Sequence, residues 1–316
     1  MAHGITVPFD GVSLADHREW FEELVDLGYT DLWSSEVDGS DAFTPLTLAA
    51  AWTPSLRLGT AIVSAFTRGP ALLAQSAAAL AEAAPGRFAL GIGASSDVIV
   101  ESWNGITFAE PYKRTRDVLR FLRSALAGEK VDATFDTFTV RGFRLSRPPE
   151  IPPPLLVAAL RPGMLRLAGR EADGAIINWL GAGDVPTVAA EVGPGKEIVA
   201  RIFVLPTEDV GAARAVGRRL IAAYLNVPVY AAFHEWLGRG PLLREMWAAW
   251  KAGDRKAALA AIPDQVVDDL LVHGSPAQVR ARLARYAANG VTTPAPAIVS
   301  AGIDLRQAIR DLAPSA

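Results

Sequence analysis

The chain has 316 residues, half of them apolar and 21% charged, with a formal net charge of −3. That suits a globular protein long enough to bury a full core as one large α/β barrel. It contains no cysteine, which excludes disulfides, thiolate metal sites, iron–sulfur clusters and cysteine nucleophiles, and its four histidines (His3, His17, His234, His273) are too scattered for a metal cluster.

No basic run points to nucleic acid, and no apolar run reaches the roughly 18 residues of a membrane span. The start, MAHGITVPFDG, lacks the basic and apolar regions of a secretory signal. The expectation is a cytoplasmic protein acting on a small molecule, without nucleic-acid or membrane partners.

Short β-type runs alternate with helical stretches along the whole chain. The first strand covers residues 4–9. Ser13 is expected to cap a helix whose Trp20, Leu24 and Leu27 share a face and which Gly28 closes. Strand two is 31–35, with a helix at 45–51. Strand three is 57–63, followed by an Ala-rich helix at 70–84. Strand four is 88–92, with a helix at 111–126. Residues 135–144 read as a small hairpin or flap, and 147–154 as a proline-rich linker. Strand five is 155–158, after which Pro162 opens a helix. Strands six and seven are 175–177 and 199–205. Residues 212–269 form a long, mostly helical insertion expected to lie over one end of the molecule. Strand eight is 296–299, and a last helix spans 305–312.

Eight strands with helical crossovers predict a (β/α)8 TIM barrel, with a doubly wound sheet as the competing arrangement. In a barrel the C-terminal strand ends carry the chemistry, and four places there stand out. Gly91 and Gly93, before Ser95 and Ser96, would let backbone approach a phosphate or flat ring. The dinucleotide fingerprint fails, because its third glycine is Ser96; a tight turn explains the residues equally well. Glu36, past strand two, points into a mouth or is a solvated carboxylate beside Asp38 and Asp41. Strand three ends in small residues through Ser64 and runs on to Arg68. Strand five runs through Ala159, Leu160 and Arg161 into a helix whose N-terminal N–H groups attract anions. No Gly-x-Ser-x-Gly elbow, His-Glu-x-x-His pair or Walker loop occurs.

Read in order, DLWSSE, FTPLTLAAAWTPSLRLGTAIV, TRGPALLAQSAAALAEAAPGRFALGIGASS, LLVAALRPGMLRLAGREADGAIINW and HGSPAQVRARLARYAANGVTTP resemble the bacterial luciferase-like superfamily, specifically its coenzyme F420-dependent oxidoreductases. The resemblance spans residues 4 to about 300. It implies a barrel with the deazaflavin ring of F420, or alternatively FMN, in the mouth, and a homodimer. It implies a non-prolyl cis peptide at Ala61–Ile62 behind the ring, Ser64 at the ring edge, and Gly93, Ser95 and Ser96 beside the phosphate and ribityl chain. Ala159, Leu160, Arg161 and Asn178 fall on the phosphate side.

Two departures matter. Val37 stands where several relatives carry a histidine after the acid that Glu36 matches, and Leu160-Arg161 replaces a Gly-Gly pair. Glu36 is then the expected catalytic group. Trp103, Asn104, Trp179, Tyr230 and His234 are candidate pocket residues, with Tyr224 beside them. The chemistry implied is hydride transfer between F420 and an organic substrate. An FMN monooxygenase and a non-catalytic cofactor-binding barrel are the alternatives.

Overall fold

The computed structural model describes residues 2–314. Eight parallel strands succeed one another around a barrel: β1 (Gly4–Val7), β2 (Asp31–Ser34), β3 (Arg57–Thr60), β4 (Phe88–Gly93), β5 (Leu155–Ala158), β6 (Gly174–Asn178), β7 (Glu197–Leu205) and β8 (Thr293–Ile298). Each neighbouring pair from β1 to β8 shares a parallel ladder. At the closing seam, Pro294 and Pro296 of β8 have no N–H to offer a ladder. There the Thr6 hydroxyl donates to the Ala295 carbonyl at 3.3 Å, and a Cβ on Gly4 would stand 2.9 Å from the Pro294 oxygen. The doubly wound alternative is thereby discarded.

Helices form where the apolar stripe and the end signals coincide. Pro70, Pro111, Pro162 and Pro276 each occupy a helical first turn, where the missing N–H leaves nothing unpaired. Ser275 and Gln278 make a reciprocal capping box at the start of Pro276–Ala288.

The barrel interior is layered. At the N-terminal end Arg57 forms a two-pronged pair with Glu197 at 2.6 and 2.7 Å. It also reaches Asp31 at 3.3 Å, and Thr293 donates to Glu197 at 3.1 Å. Above this charged floor Trp33, Ala89, Leu156, Ile176, Val199 and Ala295 form a dry plug. Trp33 fits only because position 59 is glycine: a Cβ there would lie 2.2 Å from the indole.

Several boundaries differ from the sequence reading. The first helix begins at His17 behind Asp16, because Ser13 uses its hydroxyl to close a turn onto Asp16 at 2.6 Å. Strand three is not continuous over 57–63. It stops at Thr60, passes through a cis Ala61–Ile62 peptide, and pairs again with β4 only at Val63–Ser64. The hairpin is Val131–Thr134 with Thr139–Phe143, so residues 135–138 are its turn and not its first strand. β8 starts at Thr293, three residues before the expected 296, and both of its prolines sit at the seam. Helices Val185–Val192 and Pro276–Ala288 and the π-helical turn Val98–Trp103 have no counterpart in the reading.

After β7 come five helices, Val210–Leu225, Pro228–Trp236, Gly240–Lys251, Arg255–Ala260 and Asp264–Leu270. They share an apolar core of their own with Trp179, Phe203 and Leu205, which fastens them to the C-terminal ends of β6 and β7.

Candidate active site

Strand alternation locates the mouth. The inward faces of the plug layer are sealed: Trp33, Leu156 and Val199 are at most 1% exposed. Two residues further along the same faces, Ser35, Ala61, Ala158, Asn178 and Arg201 are only half-buried. Inward residues that regain exposure mark an open space above Trp33, at the end of the barrel where loops carry function. A separate concavity of about 660 Å3, bordered by Gly193, Lys196, Glu197 and Thr292, lies at the opposite end, where the strands begin.

The strand ends adjoin one another around this space. The Ala61 N–H donates to Ser34 O at 2.5 Å and the Glu36 N–H to Ile62 O at 3.1 Å, so the cis segment is stitched to the end of β2. Ser64 lies in register with Gly93, and Ala158 with Ile176. A Cβ on Gly93 would be 2.9 Å from Ala158 Cβ and 3.1 Å from Ile62 Cδ1; glycine keeps this wall flat. Positions 36, 62, 64, 93 and 158 therefore form one arc of the rim.

Glu36 is not a free carboxylate. Its Oε1 accepts from Arg68 Nε at 3.0 Å and Nη2 at 2.6 Å, and from the Ala42 N–H at 3.5 Å, and Arg68 also lies 3.5 Å from Asp41. The guanidinium stacks over Phe43 at 5.0 Å. All three bonds fall on Oε1, and Oε2 has no hydrogen-bond partner among the described residues. Val37 is exposed at the surface. Ser64, 3% exposed, accepts from the N–H groups of Phe66 at 3.1 Å and Thr67 at 3.5 Å, so its own proton is available.

Ser95 adopts a left-handed backbone (φ 68°), and Ser96 accepts from the Ile99 N–H at 3.3 Å at the start of the π-helical turn. Across the rim, the Ala159 N–H is given to Ile176 O at 2.9 Å, so its backbone offers no free donor there. Leu160 packs against the core while Arg161 is exposed. The first intrahelical bond of Pro162–Glu171 runs from Leu165 N to Arg161 O, so the N–H groups of Gly163 and Met164 precede it and are open to an anion.

The pocket candidates separate. Asn178 donates to the Tyr230 hydroxyl at 3.3 Å, drawing the helical segment onto the mouth, and burial raises the phenol pKa. Trp179 is 2% exposed and stacks between Phe203 at 4.2 Å and Tyr224 at 4.9 Å. His234 is fully buried, and neither ring nitrogen has a hydrogen-bond partner of good geometry. Burial, helped by the Arg239 charge, brings its pKa down to about 3. Trp179 and His234 therefore support the wall rather than face the opening. Trp103, 55% exposed, sits on the π-helical turn, where Asn104 spends its amide on Ile99 O at 2.7 Å. The sequence reading missed Arg201, whose only linear signal is a charge in the middle of a strand that is apolar after Glu197.

A family model described as luciferase-like monooxygenase matches residues 1–293. The chain belongs to the luciferase-like monooxygenase family. Among family relatives, a protein of Mycobacterium tuberculosis named as a coenzyme F420-dependent oxidoreductase is 28% identical, over 94% of this chain and 93% of that protein. The 5,10-methylenetetrahydromethanopterin reductase of Methanolobus tindarius is 27% identical over 92% of each. In fold, this luciferase-like chain is similar to the coenzyme F420-dependent tetrahydromethanopterin reductase from Methanopyrus kandleri, with a TM-score of 0.80 at 19% identity over 99% of this chain and 97% of that one. No helix among the described residues is long and apolar enough to cross a membrane, and they hold no cluster suited to a metal ion.

Proposed function

We propose that this luciferase-like barrel is an F420-dependent oxidoreductase acting on a small organic substrate held in the mouth. The observation that carries the reading is the arc of small residues above the Trp33 plug, Ala61, Gly93 and Ala158, a flat wall in which Ala61 and Ala158 regain exposure at the mouth. F420-dependent enzymes among its relatives support the choice of cofactor.

Ile62 and Ala61 would back the ring, and Ser64 would donate its free proton to the ring edge. Ser95, Ser96, Arg161 and the N–H groups of Leu160, Gly163 and Met164 would hold the phosphate side. The bound deazaflavin supplies hydride transfer at its reactive carbon. The chain's own part is to fix the substrate at roughly 3–3.5 Å from that carbon and to exclude water. With valine at position 37, the proton falls to Glu36: Oε1 is anchored by Arg68, and Oε2 accepts or returns the substrate proton.

Fluorescence titration of the purified chain with F420 and with FMN tests the cofactor. Saturable F420 binding at least tenfold tighter than FMN is expected. FMN binding with no F420 binding overturns the reading. Absorbance change of bound F420 against a panel of alcohols, aldehydes, imines and enoates then tests turnover; saturable binding with no hydride transfer to or from any of them would mark a non-catalytic barrel.

A further inference from the structure

We infer that the mouth contains a second binding element, an oxyanion subsite built on Arg201, and that the substrate bears a carboxylate. Along β7 the inward residues are Glu197, Val199, Arg201 and Phe203. Glu197 is neutralised in the floor by Arg57, Val199 belongs to the plug, and Arg201 is the first side chain to emerge above it. By register Arg201 is level with Asn178 on one side and Ala295 on the other.

Among the described residues the guanidinium has no hydrogen-bond or ion-pair partner. Its Nε is buried without a hydrogen bond, and no carboxylate among the described residues lies within ion-pair distance. Three other arginines at the barrel and its rim differ, whereas Arg161, also unpaired, is exposed to solvent. Arg57 is matched by Glu197 and Asp31, Arg68 by Glu36, and Arg239 by Asp184 at 2.8 Å. Arginine cannot shed its proton to relieve burial, so a half-buried guanidinium without an ion-pair partner keeps its charge and favours an anion from outside over water.

The surroundings select the anion. Phe203 covers one face of the guanidinium at 4.8 Å and is itself held by Trp179, while no protein group hydrogen-bonds its in-plane N–H edge among the described residues. That edge matches the two coplanar oxygens of a carboxylate. Asn178 and Tyr230 add polar atoms at the same level.

Placement relative to the ring rests on the F420 reading; the anion subsite itself does not. In the eight-strand order β7 is four strands from β3 in either direction, so Arg201 faces the Ala61–Ile62 wall across the barrel. A substrate anchored by its carboxylate on Arg201 would span the gap towards that wall.

Calorimetric titration of the full chain with benzoate, benzamide and inorganic phosphate, with and without F420, tests the subsite. Benzoate is expected to bind, benzamide at least tenfold more weakly, and Arg201→Met to weaken benzoate at least tenfold while F420 binding stays within twofold. Benzoate binding that is absent, or equal in a folded Arg201→Met chain, overturns the proposal. Phosphate binding as tight as benzoate and equally dependent on Arg201 overturns the carboxylate assignment. Arg201-dependent benzoate binding by a chain that does not bind F420 sinks the cofactor reading and leaves the subsite standing. Should the variant not fold, phenylglyoxal labelling of the wild-type chain decides. Benzoate should protect the peptide containing Arg201 at least threefold, and equal labelling with and without benzoate overturns the proposal.

Discussion

The Thr60 hydroxyl and the Gly91 backbone form a closed pair: Thr60 Oγ1 donates to Gly91 O at 2.9 Å and accepts from Gly91 N at 2.8 Å. The ladder between β3 and β4 ends at Gly59–Ala89 and resumes at Val63–Ile92, and this one side chain bridges the gap. Backbone diverted through the cis segment at the barrel mouth thus keeps its hydrogen bonds satisfied.

Thr60→Val retains the volume but strands a donor and an acceptor in a fully buried place. A loss of about 2–4 kcal/mol is expected, and Thr60→Ser should recover most of it. Urea denaturation midpoints of the three proteins check this.

Gly91→Ala should be worse, because its Cβ would lie 2.0 Å from the Thr60 oxygen and 2.2 Å from Ile176 Cδ1. Destabilisation above about 4 kcal/mol or insoluble protein is expected. Gly163→Ala, with nothing within 4 Å of the new Cβ, should stay within about 1 kcal/mol of wild type. Thermal melts of both variants make the comparison.

His234 makes stability depend on pH. Its folded pKa of about 3 lies below the ordinary 6.5, so the unfolded chain binds the extra proton between those values. Stability from this group is full above pH 6.5 and is lost as pH falls towards 3. Between pH 7 and 4.5 the unfolding free energy of wild type should fall by about 2–3 kcal/mol more than that of His234→Phe. Parallel pH dependences in the two denaturation series would rule this out.

If Glu36 handles the substrate proton, Glu36→Gln should slow hydride transfer on the order of 100-fold while F420 affinity stays within about threefold. Glu36→Asp should restore part of the rate and shift the pH profile of kcat. A rate unchanged in Glu36→Gln removes the residue from the chemistry and leaves it as the holder of Arg68.

The rim was legible from the sequence because it lies at strand ends, where small residues, turns and helix starts are local signals: Gly93, Ser95, Ser96 and the Pro162 helix start can be read from neighbours in the chain. Boundaries failed where a side chain substitutes for backbone or a proline sits at a seam, as at Thr60 and in β8. These depend on a partner strand far away in sequence.

What the sequence by itself determined is the order of strands and crossovers, the family, and the arc of small residues at the mouth. Only the tertiary structure decided which side chains meet: Glu36 with Arg68, Asn178 with Tyr230, and Arg201 facing inward with no acidic partner. Barrel strands are buried on both faces, so the inside–outside alternation that would assign Arg201 to the interior is erased from the apolar pattern. It reappears only when neighbouring strands set the register.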